Sequence, residues 1–243
     1  MSTLAGTGIV KHFGGIKALD GVDIAIAEGE ILGLVGPNGS GKSTLINVLS
    51  GFYRADAGRA LFDGEDLLHL GPHEIAAAGL ARTFQIPRPF RTMTAWENVA
   101  LSYMFGQRRH SLTEARRAAV QWLEFTDLSE VADLPIDQLT LHQLKFLELA
   151  RALATEPRLL LLDEVLAGLN PTEVEESISM IQRIHSQGVT LVIVEHLVRV
   201  VMALSTTLTV LDQGRVIARG DPEAVMQQPE VIRAYLGSRW EHA

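Results

Sequence analysis

Short apolar runs recur along the chain, and several of them end at a polar or charged residue. The runs with the length and continuity of strands buried in a parallel sheet lie at residues 31–35, 159–162, 190–194 and, more weakly, 208–211. Segments of helical composition separate these runs, for example residues 44–49 and the stretch LELARALA at residues 147–154. Strands that alternate with helices predict an α/β fold in which helices cover a parallel sheet.

Residues 87–152 differ in character from the rest of the chain. Pro87 and Pro89 interrupt it, and two segments with helical patterns follow with no convincing strand between them. The sequence therefore predicts a helical insertion in the α/β core. Within a single domain we expect a core of residues 1–86 and 153–220, a helical subdomain of residues 87–152, and a C-terminal helical tail of residues 221–243.

Composition narrows the class of protein. The 243 residues carry a net charge of −8, and 47% are hydrophobic and 21% charged, which is typical of a globular protein. A negative net charge disfavours roles that need a globally basic surface, so we expect no nucleic-acid partner. The chain has no cysteine, which excludes disulfide bonds and thiolate metal sites.

The segment GPNGSGKST follows the first buried run and precedes a helix. It fits the pattern G-x-x-x-x-G-K-[ST], in which glycines let backbone N–H groups curl around phosphate oxygens. Lys42 would place a positive charge on the β- and γ-phosphates, and Ser43 would offer a hydroxyl to Mg²⁺. This phosphate loop predicts nucleotide contacts from Gly36, Pro37, Asn38, Gly39, Ser40, Gly41, Lys42, Ser43 and Thr44.

Polar residues at the ends of other apolar runs complete a candidate nucleotide site. Asp163 and Glu164 follow the second buried run, where carboxylates lie at the ligand-binding edge of a parallel sheet. Asp163 would hold Mg²⁺ through water, and Glu164 would orient or deprotonate the attacking water. His196 follows the third run and could contact the γ-phosphate. Gln85 follows a shorter run and could reach Mg²⁺ or the water, so it counts with Glu164 and His196 as a catalytic candidate.

Phe13, in the segment KHFGG, could stack on an adenine ring, although an isolated phenylalanine is more often part of a core. With Phe13 included, the order of the motifs resembles that of ATP-binding subunits of ABC transporters over nearly the whole chain. In chain order the matching elements are Phe13, the phosphate loop, Gln85, residues 139–143, Asp163, Glu164 and His196.

The segment LTLHQ at residues 139–143 stands where this family places its signature pentapeptide, Leu-Ser-Gly-Gly-Gln. Thr140 replaces the usual serine, and Leu141 and His142 replace the two glycines. In the family, the hydroxyl and the backbone N–H groups of the signature contact the γ-phosphate held by a second subunit. The resemblance therefore implies nucleotide contacts from Thr140, His142 and Gln143, while the side chains at 141 and 142 would crowd that approach and weaken it.

For the fold we expect a P-loop NTPase core with a small antiparallel β part near the N-terminus and a helical insertion. The resemblance implies an ATPase that uses ATP and Mg²⁺ to power a membrane transporter. The segments GLNPTE, RTFQIPRPFRTMTAWENV and GDPEAVMQQPEVIRAYLG are similar to subunits that serve branched-chain amino-acid importers. The implied partners are a second ATP-binding subunit in a homo- or heterodimer, membrane permease subunits and, indirectly, a periplasmic solute-binding protein. The implied location is peripheral, on the cytoplasmic face of the inner membrane.

Two other classes of nucleotide-binding protein stay open. Among non-transport ABC-type ATPases, DNA-repair proteins carry a long coiled coil, for which residues 87–138 are too short, and ribosome-acting members usually carry two cassettes in one chain. A P-loop kinase or GTPase would leave LTLHQ, LELARALA and His196 unexplained.

Overall fold

The computed structural model describes residues 2–106 and 110–236. The strands are, in chain order, β1 Ser2–Phe13, β2 Ile16–Ala27, β3 Ile31–Val35, β4 Ala57–Phe62, β5 Glu65–Asp66, β6 Leu80–Arg82, β7 Leu159–Asp163, β8 Thr190–Val194, β9 Thr207–Asp212 and β10 Arg215–Gly220. The α-helices are α1 Lys42–Leu49, α2 Pro72–Ala77, α3 Ala95–Met104, α4 Leu112–Phe125, α5 Leu141–Leu153, α6 Pro171–Ser186, α7 Val198–Leu204, α8 Pro222–Met226 and α9 Pro229–Leu236.

The four apolar runs form strands in the structure, as their pattern predicts. The runs at residues 31–35 and 190–194 coincide with β3 and β8, and those at 159–162 and 208–211 fall inside β7 and β9. Every residue of β3, β7 and β8 is buried. This burial explains why these strands show continuous apolar runs rather than alternation, since both faces of a parallel sheet are covered.

The chain forms two compact units. The first unit contains Met1–Pro72 and Thr190–Ala243. It holds an antiparallel sheet with the strand order β2-β1-β4-β5 and a second group of strands in the order β10-β9-β3-β8. In that second group, β3 pairs in parallel with both β8 and β9, while β10 pairs with β9 in an antiparallel hairpin. This antiparallel part confirms the small β element expected near the N-terminus.

The second unit is His73–Val189. Its strands β6 and β7 pair in parallel, and most of its remaining described residues belong to helices α3 to α6 and the loops between them. Helices α3 and α4 both begin with capping boxes: Thr94 with Glu97, and Ser111 with Glu114. They confirm the two helices expected inside residues 87–152. The division into core, subdomain and tail stays a prediction, and residues 237–243 of the expected tail lie outside the described residues.

In the ranges that the structure describes, none of the helices combines the length and the apolar character needed to traverse a bilayer.

Candidate functional site

The phosphate loop connects β3 to α1 in the first unit and curls around its own lysine. The Nζ atom of Lys42 donates to the carbonyl oxygens of Gly36, at 2.8 Å, and Pro37, at 3.0 Å. The hydroxyl of Ser40 lies 3.5 Å from the same nitrogen. The loop thus places the ammonium group at its centre, at the start of a helix with no acidic residue in its first turn. A positive charge at a helix N-terminus is suited to an anion such as phosphate.

Glycine is required where this loop meets neighbouring backbone. Gly36 has φ of 150°, and a Cβ atom there would lie 2.0 Å from the carbonyl oxygen of Leu211 in β9. Gly41 has φ of 110°, and a Cβ atom there would lie 2.5 Å from the carbonyl oxygen of Ala18. These contacts explain why the sequence has glycine at both ends of the tight part of the loop.

The phosphate loop also contacts residues outside it that the sequence did not identify as part of the site. The N–H of Gly214, in the turn between β9 and β10, donates to the carbonyl oxygen of Ser40 at 2.9 Å. On α9, Val231 is buried in one apolar cluster with Val35, the residue before the loop. One turn further along α9, burial raises the pKa of the Tyr235 hydroxyl, and a hydrogen bond from the N–H of Gly36 opposes that shift. No motif marks such contacts, because they join segments far apart in sequence.

Phe13 and His196 also belong to the first unit. Phe13 ends β1 and is 43% exposed, with the ring of Tyr53 edge-on at a centroid distance of 5.2 Å. Lys11 Nζ lies 5.4 Å from the centroid of the Phe13 ring. His196 lies two residues after the end of β8, as predicted, and is exposed. The exposed aromatic ring and the exposed imidazole are both accessible to a ligand.

In the second unit, β6 and the residues after it contact Asp163 and Glu164, the two acids that follow the apolar run at residues 159–162. The Arg82 guanidinium donates to the carboxylate of Asp163, the last residue of β7, at 3.0 Å. The side-chain amide of Gln85 donates to the carboxylate of Glu164. Thr83 accepts a hydrogen bond from the N–H of Asp163 at 3.3 Å. The structure therefore brings Gln85, Asp163 and Glu164 together, although only the acids' shared strand end was evident from the sequence.

Two features of this group bear on its chemistry. Glu164 is buried and has a left-handed backbone, with φ of 50°, which is uncommon for a residue with a side chain. Burial lowers the pKa of the Arg82 guanidinium, and the charge of Asp163 opposes that shift. Because a guanidinium does not lose its proton in proteins, Arg82 and Asp163 form a charged pair.

Residues 139–143, the signature segment, begin helix α5. Thr140 is the N-cap: its hydroxyl accepts from the N–H of Gln143 at 3.2 Å, and the Gln143 side chain accepts from the N–H of Thr140 at 2.9 Å. This capping box gives α5 a regular start despite the missing glycines. Leu141 is exposed at the first helical position.

His142 does not point freely into solvent. Its ring packs on the ring of Phe146, one turn along α5, with a centroid distance of 4.2 Å. Its Nε2 atom is buried and lies 3.6 Å from a carboxylate oxygen of Glu176 on α6, without a hydrogen bond to the described residues. The imidazole therefore lies along α5 and towards α6. Any contact that His142 makes with a nucleotide would come from its backbone N–H.

Helix α5 also holds the loop that follows Gln85. Glu148 is buried and accepts a hydrogen bond from the N–H of Arg88 at 3.4 Å, while Arg151 donates to the carbonyl oxygen of Arg88 at 2.8 Å. Burial raises the pKa of the Glu148 carboxyl above its ordinary value of 4.5, and the charge of Arg151 opposes that shift. Glu148 and Arg151 together connect the signature helix to the segment that carries Gln85.

The raised pKa of Glu148 predicts a pH-dependent effect of Glu148→Gln on stability. A carboxyl whose pKa is higher in the folded state stabilises the fold at low pH, and that stabilisation is lost as pH rises through the folded-state pKa. Glutamine is neutral at every pH, so the variant has no such pH-dependent loss. The thermal midpoint of the variant should therefore rise relative to that of the wild type as pH rises above about 4.5. Glu175→Gln, at an exposed position on α6, is the control. A difference from wild type that does not change with pH, or that changes in the opposite direction, contradicts this account.

Comparison with known families decides which kind of phosphate-loop protein this is. The family model described as ABC transporter matches residues 19–167, more than half of the chain. The chain belongs to the ABC transporter family. ATP hydrolysis is the characteristic activity of this family, and the chain is an ABC-type ATPase. A second family model, described as branched-chain amino acid ATP-binding cassette transporter, matches residues 215–241.

Curated relatives extend the similarity over nearly the full length. The high-affinity branched-chain amino acid transport ATP-binding protein BraF of Pseudomonas aeruginosa is 38% identical, covering 95% of this chain and 96% of its own. The probable branched-chain amino acid transport ATP-binding protein LivG of Archaeoglobus fulgidus is 39% identical, covering 98% and 97%. These relatives favour a transport subunit of the family over its non-transport ATPases.

Solved structures confirm the predicted α/β fold. A crystal structure of an ATP-binding cassette of an ABC transporter in its ADP conformation superposes with a TM-score of 0.88 at 34% identity, covering 98% of this chain and 99% of that one. A dimeric post-hydrolysis state of another cassette, bound to ADP and Pi, gives a TM-score of 0.81 at 27% identity, covering 90% and 98%. The phosphate-loop core, the small antiparallel sheet and the helical insertion are thus those of an ABC cassette.

Proposed function

We propose that the chain binds and hydrolyses ATP to drive a membrane importer for branched-chain amino acids or related small solutes. The observation that carries this proposal is the match of residues 215–241 to the branched-chain amino acid transporter model, since these residues lie outside the part that the ABC transporter model matches. The names and the near-complete coverage of BraF and LivG support the same solute class.

Nucleotide binding is assigned to the first unit. The backbone N–H groups of residues 36–44 would surround the phosphates, and Lys42 would exchange its carbonyl acceptors for phosphate oxygens. The half-exposed ring of Phe13 would stack on adenine. This division gives the phosphates a charged, hydrogen-bonding cradle and the base an apolar surface.

The order of the motifs and the chemistry of the candidate donor groups support Mg²⁺ as the metal that accompanies ATP. Ser43, Gln85 and Asp163 would offer a hydroxyl, an amide oxygen and a carboxylate, which are the hard oxygen ligands that Mg²⁺ prefers. Among the described residues no cluster of three or more His, Cys, Asp or Glu side chains is placed to hold a metal. Mg²⁺ bound together with ATP would supply positive charge to the phosphate oxygens.

Hydrolysis is assigned to Glu164, with Gln85 and His196 in supporting roles. The Glu164 carboxylate would take a proton from the attacking water, and the amide of Gln85, which already contacts that carboxylate, would orient the water or the metal. His196 would contact the γ-phosphate as charge develops there. These assignments follow the motif order and the exposure of His196.

The signature segment is assigned to the nucleotide of a second ATP-binding subunit, in a homo- or heterodimer. The start of α5 would offer the N–H of His142 and the Thr140 hydroxyl, and the N–H groups of Thr140 and Gln143 would exchange their capping-box acceptors for phosphate oxygens. The complex would include membrane permease subunits and, indirectly, a periplasmic solute-binding protein. The chain would then be peripheral, on the cytoplasmic face of the inner membrane.

Loss of the Phe13 ring should weaken ATP binding with less effect on the chemical step. Base–aromatic stacking predicts a loss of affinity of about tenfold or more for Phe13→Ala, and little change for Phe13→Tyr. Titration calorimetry with ATP would measure both, with Phe105→Ala as a matched change at another exposed phenylalanine. Wild-type affinity in Phe13→Ala would remove the stacking role.

The assembly itself can be tested by purifying the tagged chain from native membranes in mild detergent and identifying what accompanies it. The proposal expects permease subunits with multiple membrane spans, together with a second ATP-binding chain or another copy of this one. Recovery of the chain with ribosomes or DNA-repair proteins instead would contradict a role in import.

A further inference from the structure

Arg82 is paired with Asp163, a proposed Mg²⁺ ligand, but the function described above gives Arg82 itself no role. The Arg82 side chain is 8% exposed and the Asp163 side chain 9%, with 3.0 Å between Nη2 and Oδ2. The strands that carry them pair in parallel, with Arg82 opposite Leu161, so the register of β6 and β7 fixes the approach. In a pair this well buried, the two charges balance each other, because little solvent reaches them.

Other contacts hold the guanidinium in place. Its Cζ atom lies 4.7 Å from the centroid of the Phe84 ring, and its Nε atom donates to the carbonyl oxygen of Thr83 at 3.4 Å. The Asp163 backbone is fixed in turn by the hydroxyl of Thr83. Arg82 is therefore oriented by its neighbours before any cation approaches Asp163.

We propose that Arg82 is a positioning residue that holds the Asp163 carboxylate by counter-charge and thereby lowers its affinity for the metal ion that accompanies the nucleotide. This inference rests on the proposed role of Asp163 towards Mg²⁺. A cation drawn to Asp163 meets a guanidinium already within hydrogen-bond distance of the same carboxylate, and like charges at such a separation repel. Arg82 thus balances Asp163 while no metal is bound and opposes metal binding there.

The test measures the dissociation constant of a non-hydrolysable ATP analogue for the full chain, with Mg²⁺ in excess and with the metal removed by chelator. The ratio of the chelator value to the Mg²⁺ value reports how much the metal strengthens binding. Arg82→Gln should raise this ratio by about tenfold or more, because a repulsive charge is gone. Arg82→Lys keeps a positive charge and should bring the ratio back near wild type. Arg88→Gln, a neighbouring arginine beside the same Phe84 ring, is the matched control and should leave it unchanged.

The outcomes separate this inference from the function on which it rests. Asp163→Asn should reduce the ratio towards one, and if it does not, the proposed role of Asp163 fails. If Asp163→Asn behaves as expected but Arg82→Gln leaves the ratio unchanged or lowers it, the positioning role of Arg82 alone is wrong. A Lys variant that matches the Gln variant likewise overturns the counter-charge explanation.

Loss of one partner of a buried pair also destabilises the fold, so folding is part of the test. Arg82→Gln should lower the thermal midpoint, and the analogue with Mg²⁺ should recover more of that loss than the analogue with chelator. If the variant is unfolded without ligand, folding restored by Mg²⁺ and analogue but not by analogue and chelator supports the proposal. No restoration under either condition, or equal restoration under both, overturns it.

Discussion

Replacing Glu164 by glutamine is expected to lower ATP turnover by about 10²–10⁴-fold and to leave ATP affinity intact. The carboxylate accepts a hydrogen bond from Gln85 and follows directly on β7, where it is buried. Glutamine preserves the shape, and its amide oxygen can still accept the hydrogen bond from Gln85, but it cannot take a proton from water. The chemical step therefore loses its base while the phosphate loop is unchanged.

Turnover of the assembled complex, with ATP titrations of the same preparations, checks this expectation. Glu175→Gln on the exposed side of α6 is the matched control for the loss of one carboxylate. Turnover near the wild-type rate in Glu164→Gln would assign the catalytic base to another residue. A loss of ATP affinity as large as the loss of turnover would show that Glu164 acts mainly in binding.

Gly36→Ala should cost the first unit about 2–4 kcal/mol in the free energy of unfolding and should also weaken ATP binding. The added Cβ would lie 2.0 Å from the carbonyl oxygen of Leu211, a backbone atom that cannot rotate away. Since β9 pairs with β3 just before the loop, relief requires the two strands to separate or the loop to be displaced. Either change disturbs the carbonyl groups that surround Lys42.

Chemical denaturation and ATP titration measure the two effects of Gly36→Ala. Gly15→Ala is the matched control, because a Cβ there meets no atom within 4 Å and the change should stay within about 0.5 kcal/mol. Equal stability of the two variants would mean that the loop adapts to a side chain at position 36.

The sequence located the strands that are buried on both faces, but it did not locate the strands of the antiparallel sheet. β3 and β8 were bounded correctly, since continuous apolar runs are typical of parallel strands covered on both sides. The bounds of β1 and β2 were not predicted, because register shifts interrupt their pairing and break the alternation of apolar and polar residues. β4, in which Ala57, Gly58 and Arg59 are exposed, shows too few apolar residues to be recognised.

The motifs identified candidate site residues but not their contacts. The phosphate loop was predictable because a local segment determines its geometry. The pairing of Arg82 with Asp163 and of Gln85 with Glu164 depends on the register of β6 against β7, which the sequence does not encode in a local pattern. The inward packing of His142 depends on Phe146 and on Glu176 of another helix, so the side chain's direction could not be read from LTLHQ.

ATP-driven solute uptake by the complete complex in proteoliposomes tests the central claim most directly. With solute-binding protein outside and ATP inside, the wild-type complex should accumulate labelled leucine, isoleucine, valine or a related small solute. The complex carrying Glu164→Gln in this chain should bind ATP but accumulate little. Uptake by the Glu164→Gln complex at the wild-type rate, or ATP hydrolysis by the wild-type complex with no accumulation of any such solute, would contradict the account.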